Sequence, residues 1–220
     1  MLMDLQQYQR IAEFHNDKDD QVTQVALIVS DLFKYSHEEI DNMGPKKFLR
    51  LSKKVTKIFN KLNKKPFISK YKFITDASKI NLGQFIEVQH FIKQGEIKAM
   101  HLICASIWKD KRDHKIKAQS LLSVNVRHIL IDYTKFLVSF SELIQSYKGL
   151  FEVEESEDEE ANYEKPHPFI EQYGWIYSAK QVANYEGISL DEAFELPILQ
   201  AFNDLSYLKS EQSYLKHLNK

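Results

Sequence analysis

His101 and Cys104 stand three residues apart in the apolar run AMHLICASIW, residues 99–108. On one turn of a helix this spacing could bring an imidazole to a thiol, and an imidazole that takes the thiol proton makes a sulfur nucleophile. A thiol packed in a core beside a helix-face histidine is the default reading, and it is the one adopted. The eight histidines follow no metal-ligand spacing, and one cysteine in 220 residues excludes an intrachain disulfide. The chain has no glycine loop to cradle phosphates, no nucleophile elbow and no paired histidines of a metalloprotease. Carboxylates are dense only over residues 152–164, where they repel one another in solvent rather than being tuned for proton transfer. No catalytic, cofactor-binding or metal-binding residue is therefore expected, and no enzyme.

A second pattern could recruit charge. Lys46, Arg50, Lys53, Lys57 and Lys61, continued by Lys64, recur every three or four residues, while Phe48, Leu51, Val55, Ile58 and Leu62 form the opposing apolar stripe. Such a helix offers one cationic face. It suits an acidic partner, either a carboxylate-rich peptide or a nucleic-acid backbone, although a solvated lysine face is the default. It could also receive the chain's own acidic stretch. Nucleic acid is not favoured, because no aromatic residue interleaves with the cations for base stacking.

The elements that must carry these residues are helical. Leu5, Tyr8, Ile11 and Ala12 repeat at helical spacing, as do Val22, Val25, Ala26, Val29, Leu32 and Phe33. Ser36 and Glu39 have the form of a capping box, Gly44 ends the short helix that follows, and Pro45 suits the first turn of the basic one. Residues 65–76, KPFISKYKFITD, alternate apolar and polar and predict the chain's one strand. Helical spacing returns over 80–93, breaks at Gly95 and resumes to Trp108. Residues 116–150 then predict a largely buried helical pair and the core of a first domain.

The acidic stretch 152–164, EVEESEDEEANYE, divides the chain. Residues 1–151 hold 25 Lys and Arg against 16 Asp and Glu, whereas 165–220 hold 5 against 7, so a net charge of −1 conceals two halves of opposite sign. The expected organisation is a helical domain over 1–151 with one short β element, an acidic linker over 152–165 and a small helical domain over 166–220. The fold class is mainly α. The last domain reads as three short helices: one from near Gly174 to Gly187, one capped by Ser189 and one opened by Pro197. Its many aromatic residues are core by default in so small a unit. Trp175, Tyr177, Tyr207 and Leu208 are singled out as a partner-contacting patch, because Trp and Tyr dominate binding hot spots. No charged leader precedes an apolar stretch, and no apolar run approaches the roughly 18 residues of a membrane span. A soluble, reducing-compartment protein is expected.

The succession of an amphipathic N-terminal pair, SHEEIDNMGPKKFLRL, a short strand, KINLGQFIEVQHFIK and a closing apolar helix resembles the tail assembly chaperones of tailed bacteriophages. The segments that carry most of the likeness are residues 78–93, with Gln84, Phe85 and Ile86 after Gly83, and residues 173–209, opened by Gly174 and Trp175. In that family a short product holds the first domain and a longer one, often made by ribosomal frameshifting, adds a linker and a second domain. The acidic stretch lies where such an extension would begin.

The resemblance implies a non-enzymatic helper in the cytoplasm of an infected bacterium. It would coat the tape-measure protein and help recruit tail-tube subunits during virion morphogenesis. The implied partners are those two proteins, with self-association open, no membrane and no cofactor. The alternatives are a structural tail or baseplate component retained in the virion and a small nucleic-acid-binding adaptor using the basic helix.

Overall fold

The computed structural model describes residues 3–14, 21–62, 71–151 and 168–218. These residues are mainly helical, with twelve α-helices, two single-turn 3-10 helices and no strand. They form two compact units. One comprises Met1–Phe73 with His90–Thr134, the other Ile74–Gln89 with Lys135–Lys220.

The first half of the chain carries α1 (Leu5–Phe14), α2 (Gln21–Phe33), α3 (His37–Asp41), α4 (Pro45–Leu62), α5 (Leu82–Lys93), α6 (Met100–Ile107) and α7 (His114–Leu122). The second carries α8 (Leu130–Ser146), α9 (Lys148–Phe151), α10 (Pro168–Glu186), α11 (Leu190–Glu195) and α12 (Ile198–Leu218). The unit boundary falls inside α5 and again inside α8.

In the first unit the helical spacings read from the sequence become buried stripes. Leu5 and Ile11 of α1, Val29 and Leu32 of α2, Leu51 and Val55 of α4 and Ile103 and Ile107 of α6 are all buried. The Arg10 guanidinium donates to the Asp31 carboxylate at 2.9 Å and ties α1 to α2. Ser36 and Glu39 form the expected capping box: the Glu39 amide donates to Ser36 Oγ at 3.1 Å and the Ser36 amide to Glu39 Oε2 at 2.7 Å. The Ser36 amide, and after it the Ser36 hydroxyl, hold the Glu39 carboxyl below its usual range.

The strand expected over 65–76 is not formed in its described part, and residues 65–70 lie outside the described residues. Phe73 makes a single antiparallel bridge with Trp108, supported by the Lys109 amide on the Lys72 carbonyl at 2.9 Å. A strand requires a run of neighbours in register. Here the neighbour is lost at once, because the chain turns at Asp110, whose carboxylate accepts from the Arg112 amide, and enters α7 under the Asp113 cap. Burial does not follow the alternation that suggested a strand, since the adjacent Phe73 and Ile74 are both buried.

The second unit is drawn differently from the domains expected in the sequence. Residues 74–89 and 135–151, read as part of a first domain, pack with 168–218. Phe85 is fully buried, and its ring lies 5.2 Å from Phe140, 5.0 Å from Trp175 and 4.8 Å from Phe202. The backbone also binds there: the Leu82 amide donates to the Leu196 carbonyl and the Ile198 amide to the Ile80 carbonyl, around an Asn81 to Pro197 bridge. Gly83 eases this crossing, since a Cβ would stand 3.2 Å from the Phe194 carbonyl oxygen and the backbone there would have to give by a few tenths of an ångström.

Two of the three C-terminal helices are long rather than short. The helix expected to begin near Gly174 starts at Pro168, whose missing donor is harmless in a first turn, and runs 19 residues. It stops at Gly187, which adopts φ +69° while the Ile188 amide returns to the Ala183 carbonyl. Ser189 caps α11 in a second capping box with Glu192, and α12 follows Pro197 for 21 residues. The acidic stretch 152–164 lies outside the described residues.

Candidate functional site

Four places could carry function, and the basic helix is the first. Pro45 starts α4, the burial of Leu51 and Val55 fixes its rotation, and the opposite face therefore projects Lys46, Arg50, Lys53, Lys57 and Lys61. All five are exposed, and among the described residues none is ion-paired. Lys64 lies outside the described residues. The flanking cations are engaged: Lys47 Nζ sits 4.8 Å over the Tyr35 ring and Lys54 Nζ 6.0 Å over Phe33. The start of this helix also lines a groove of about 330 Å³ with α2 and α3, whose walls include Ala26, Leu27, Ile40 and Phe48.

The second place is the aromatic surface of the C-terminal unit. Its four sequence-predicted residues do not share one patch. Trp175 is half-buried, edge-on to Phe85 at 5.0 Å and 6.1 Å from Phe151, so it belongs to the interior cluster. Tyr177 is exposed on α10 with its ring 6.1 Å from Phe169. Tyr207 is exposed on α12, pairs with Tyr185 at 5.5 Å and donates its hydroxyl to Glu211 at 3.2 Å, while Leu208 is half-buried.

Sequence reasoning missed three neighbours of Tyr177. Phe169, Tyr173 and Ile176 are each more than 40% exposed, and the Phe169 and Tyr173 rings lie 5.5 Å apart. Together with Tyr177 they form an exposed strip of α10 that borders the face burying Ala179, Val182 and Ala183, with Ile176 seven residues before Ala183. The available signal was that the apolar residues of α10 form a band wider than a small unit can bury.

His101 and Cys104 occupy one helix turn, but the thiol is inert. Cys104 is fully buried, and burial, with a smaller contribution from the Asp132 charge, pushes its pKa far up, away from the thiolate. The His101 pKa is lowered, first by burial, and its Nδ1 lies 3.0 Å from Gln9 Nε2. That Gln9 amide also donates to the Ile97 and Lys98 carbonyls, which makes the group a brace for the turn before α6. Among the described residues no three His, Cys, Asp or Glu side chains gather as a metal site.

The fourth place is an acidic pair in the C-terminal unit. The Asp204 carboxyl is pushed up to about 6 by burial, then by the charge of Glu186 and a hydrogen bond that the two carboxyls can make only by sharing a proton, and no other donor reaches its buried Oδ2. Glu186 accepts from Gln200 Nε2 at 3.0 Å. A cleft of about 770 Å³ with a mixed lining is formed by the later part of α12 with α8 and α9, lined by Ser146, Tyr147, Ser210, Tyr214 and His217, with Lys209 Nζ held on the Gly149 carbonyl at 2.7 Å.

No family model, curated protein or solved structure matches this chain. Among the described residues no helix is long and apolar enough to cross a membrane.

Proposed function

We propose that this chain is a non-enzymatic tail assembly chaperone of a tailed bacteriophage, acting in the cytoplasm of the infected host. Its clients would be the amphipathic helices of the tape-measure protein, and it would help bring tail-tube subunits to them. The observation that carries the reading is the α10 strip of Phe169, Tyr173, Ile176 and Tyr177, an apolar surface left exposed beside the face that the helix buries. Such a face takes the apolar side of a client helix, and the α2, α3 and α4 groove offers a second apolar seat. The order of helices, which resembles that family, supplies the identity of the client.

Co-expression of the full chain with the tape-measure protein of its phage tests this. The client should become soluble and co-purify, and Tyr173→Ser/Tyr177→Ser should abolish both effects while leaving the helical circular dichroism unchanged. A client that stays insoluble and unbound overturns the reading. Recovery of the chain in purified particles would move it to the structural alternative, a tail or baseplate component.

A further inference from the structure

The cation row of α4 has a definite geometry. Lys46, Arg50, Lys53, Lys57 and Lys61 follow at spacings of four, three, four and four residues, so at about 1.5 Å per residue the row is roughly 22 Å long. Like charges at these spacings repel along a helix, and α4 contains no Asp or Glu to relieve them. Among the described residues none of the five meets a carboxylate. The row is also only one helix wide, because Lys47 and Lys54 are turned onto the Tyr35 and Phe33 rings instead of forming a second basic wall.

We infer that this face docks an acidic helical segment of a partner protein, one whose Asp or Glu side chains recur at the same three- and four-residue spacing. Two helices laid side by side keep such rows in register, as flanking charges do in coiled coils. Nucleic acid fits the face less well. A strand-tracking site uses a basic groove with aromatic platforms, whereas this row is a convex single file with no aromatic member. The inference concerns the partner's charge pattern and does not depend on the assembly the chain serves.

The test uses the full chain and a fluorescent helical peptide carrying five Glu at spacings of four, three, four and four. An isomer of the same composition, with the Glu spread around the helix, and a single-stranded and a duplex oligonucleotide complete the set. By anisotropy the matched peptide should bind about tenfold more tightly than the isomer and weaken steeply with salt. Lys53→Glu/Lys57→Glu should weaken it by a further tenfold or so, Lys53→Gln/Lys57→Gln by less, and Lys115→Glu/Lys216→Glu not at all. Equal binding of the two peptides, no binding of the matched one, or tighter binding of either oligonucleotide through α4 overturns the inference.

Discussion

Phe202→Ala tests the packing of the C-terminal unit most directly. Phe202 is fully buried, with its ring 4.8 Å from Phe85, 5.1 Å from Tyr147 and 5.5 Å from Phe151. Burying a phenylalanine removes roughly 150–250 Å² from water, about 4–6 kcal/mol at 25 cal/mol per Å², of which the alanine retains part. Adding the cavity left among rings that cannot collapse freely, the expected loss is about 3–5 kcal/mol. With a urea dependence of about 2 kcal/mol per molar, the midpoint should fall by roughly 1.5–2.5 M. The two tryptophans make this readable, since Trp108 lies in the first unit and Trp175 in the second. In a Trp108→Phe background, Trp175 emission reports the second unit alone. Phe85→Ala should shift the same signal by a similar amount, although Phe85 precedes the acidic stretch by more than sixty residues. A loss below about 1 kcal/mol at Trp175 for Phe202→Ala, or a Phe85→Ala effect confined to Trp108, would refute the assignment of residues 74–89 to the second unit.

Asp204 gives a pH-dependent prediction. Its folded-state pKa is raised, so the folded chain holds this proton more tightly than the unfolded one, and the penalty of its charge is present above about pH 6 and relieved as pH falls toward 3.8. Asp204→Asn should therefore stabilise the C-terminal unit by about 1 kcal/mol above pH 7, a figure reduced from the full shift because the side chain is partly exposed, and the gain should vanish by about pH 4 in thermal melts. Cys104 should resist a thiol reagent in the native state and react only on unfolding, as its burial requires; rapid native labelling would contradict the packing of α6. Gly187→Ala should cost about 1 kcal/mol in a thermal melt, because φ is +69° at the end of α10.

What was legible in the sequence was local. Ser36 with Glu39, Pro45, Gly187 and Ser189 act within one turn of where they stand, and each does what its chemistry predicts. Helical spacing likewise marked which side of α4 would be buried. In its described part the strand failed for a reason outside its own residues: alternation describes one side of a pairing, and among the described residues only Trp108 is bridged to it. Burial of Phe85 could be read from its spacing, but its companions could not, because Trp175 and Phe202 lie beyond a charged stretch that looked like a boundary. The aromatic patch was blurred for a related cause. Trp175 and Tyr177 are two residues apart, which on a helix puts one toward the interior and the other toward solvent.

The interleaved order of the two units bears on how the chain leaves the ribosome. Every residue of the first unit has been made once Thr134 is added, whereas Phe85 must wait for Phe202, more than a hundred residues later. At about 5–20 residues per second that interval is roughly 6 to 23 s. During it the nascent chain holds Leu82, Phe85 and Val88 without the ring that completes their cluster. Synthesis halted before α12 would strand that apolar segment permanently, so a shortened product of this gene would be a different physical object and not simply the same protein with a domain removed.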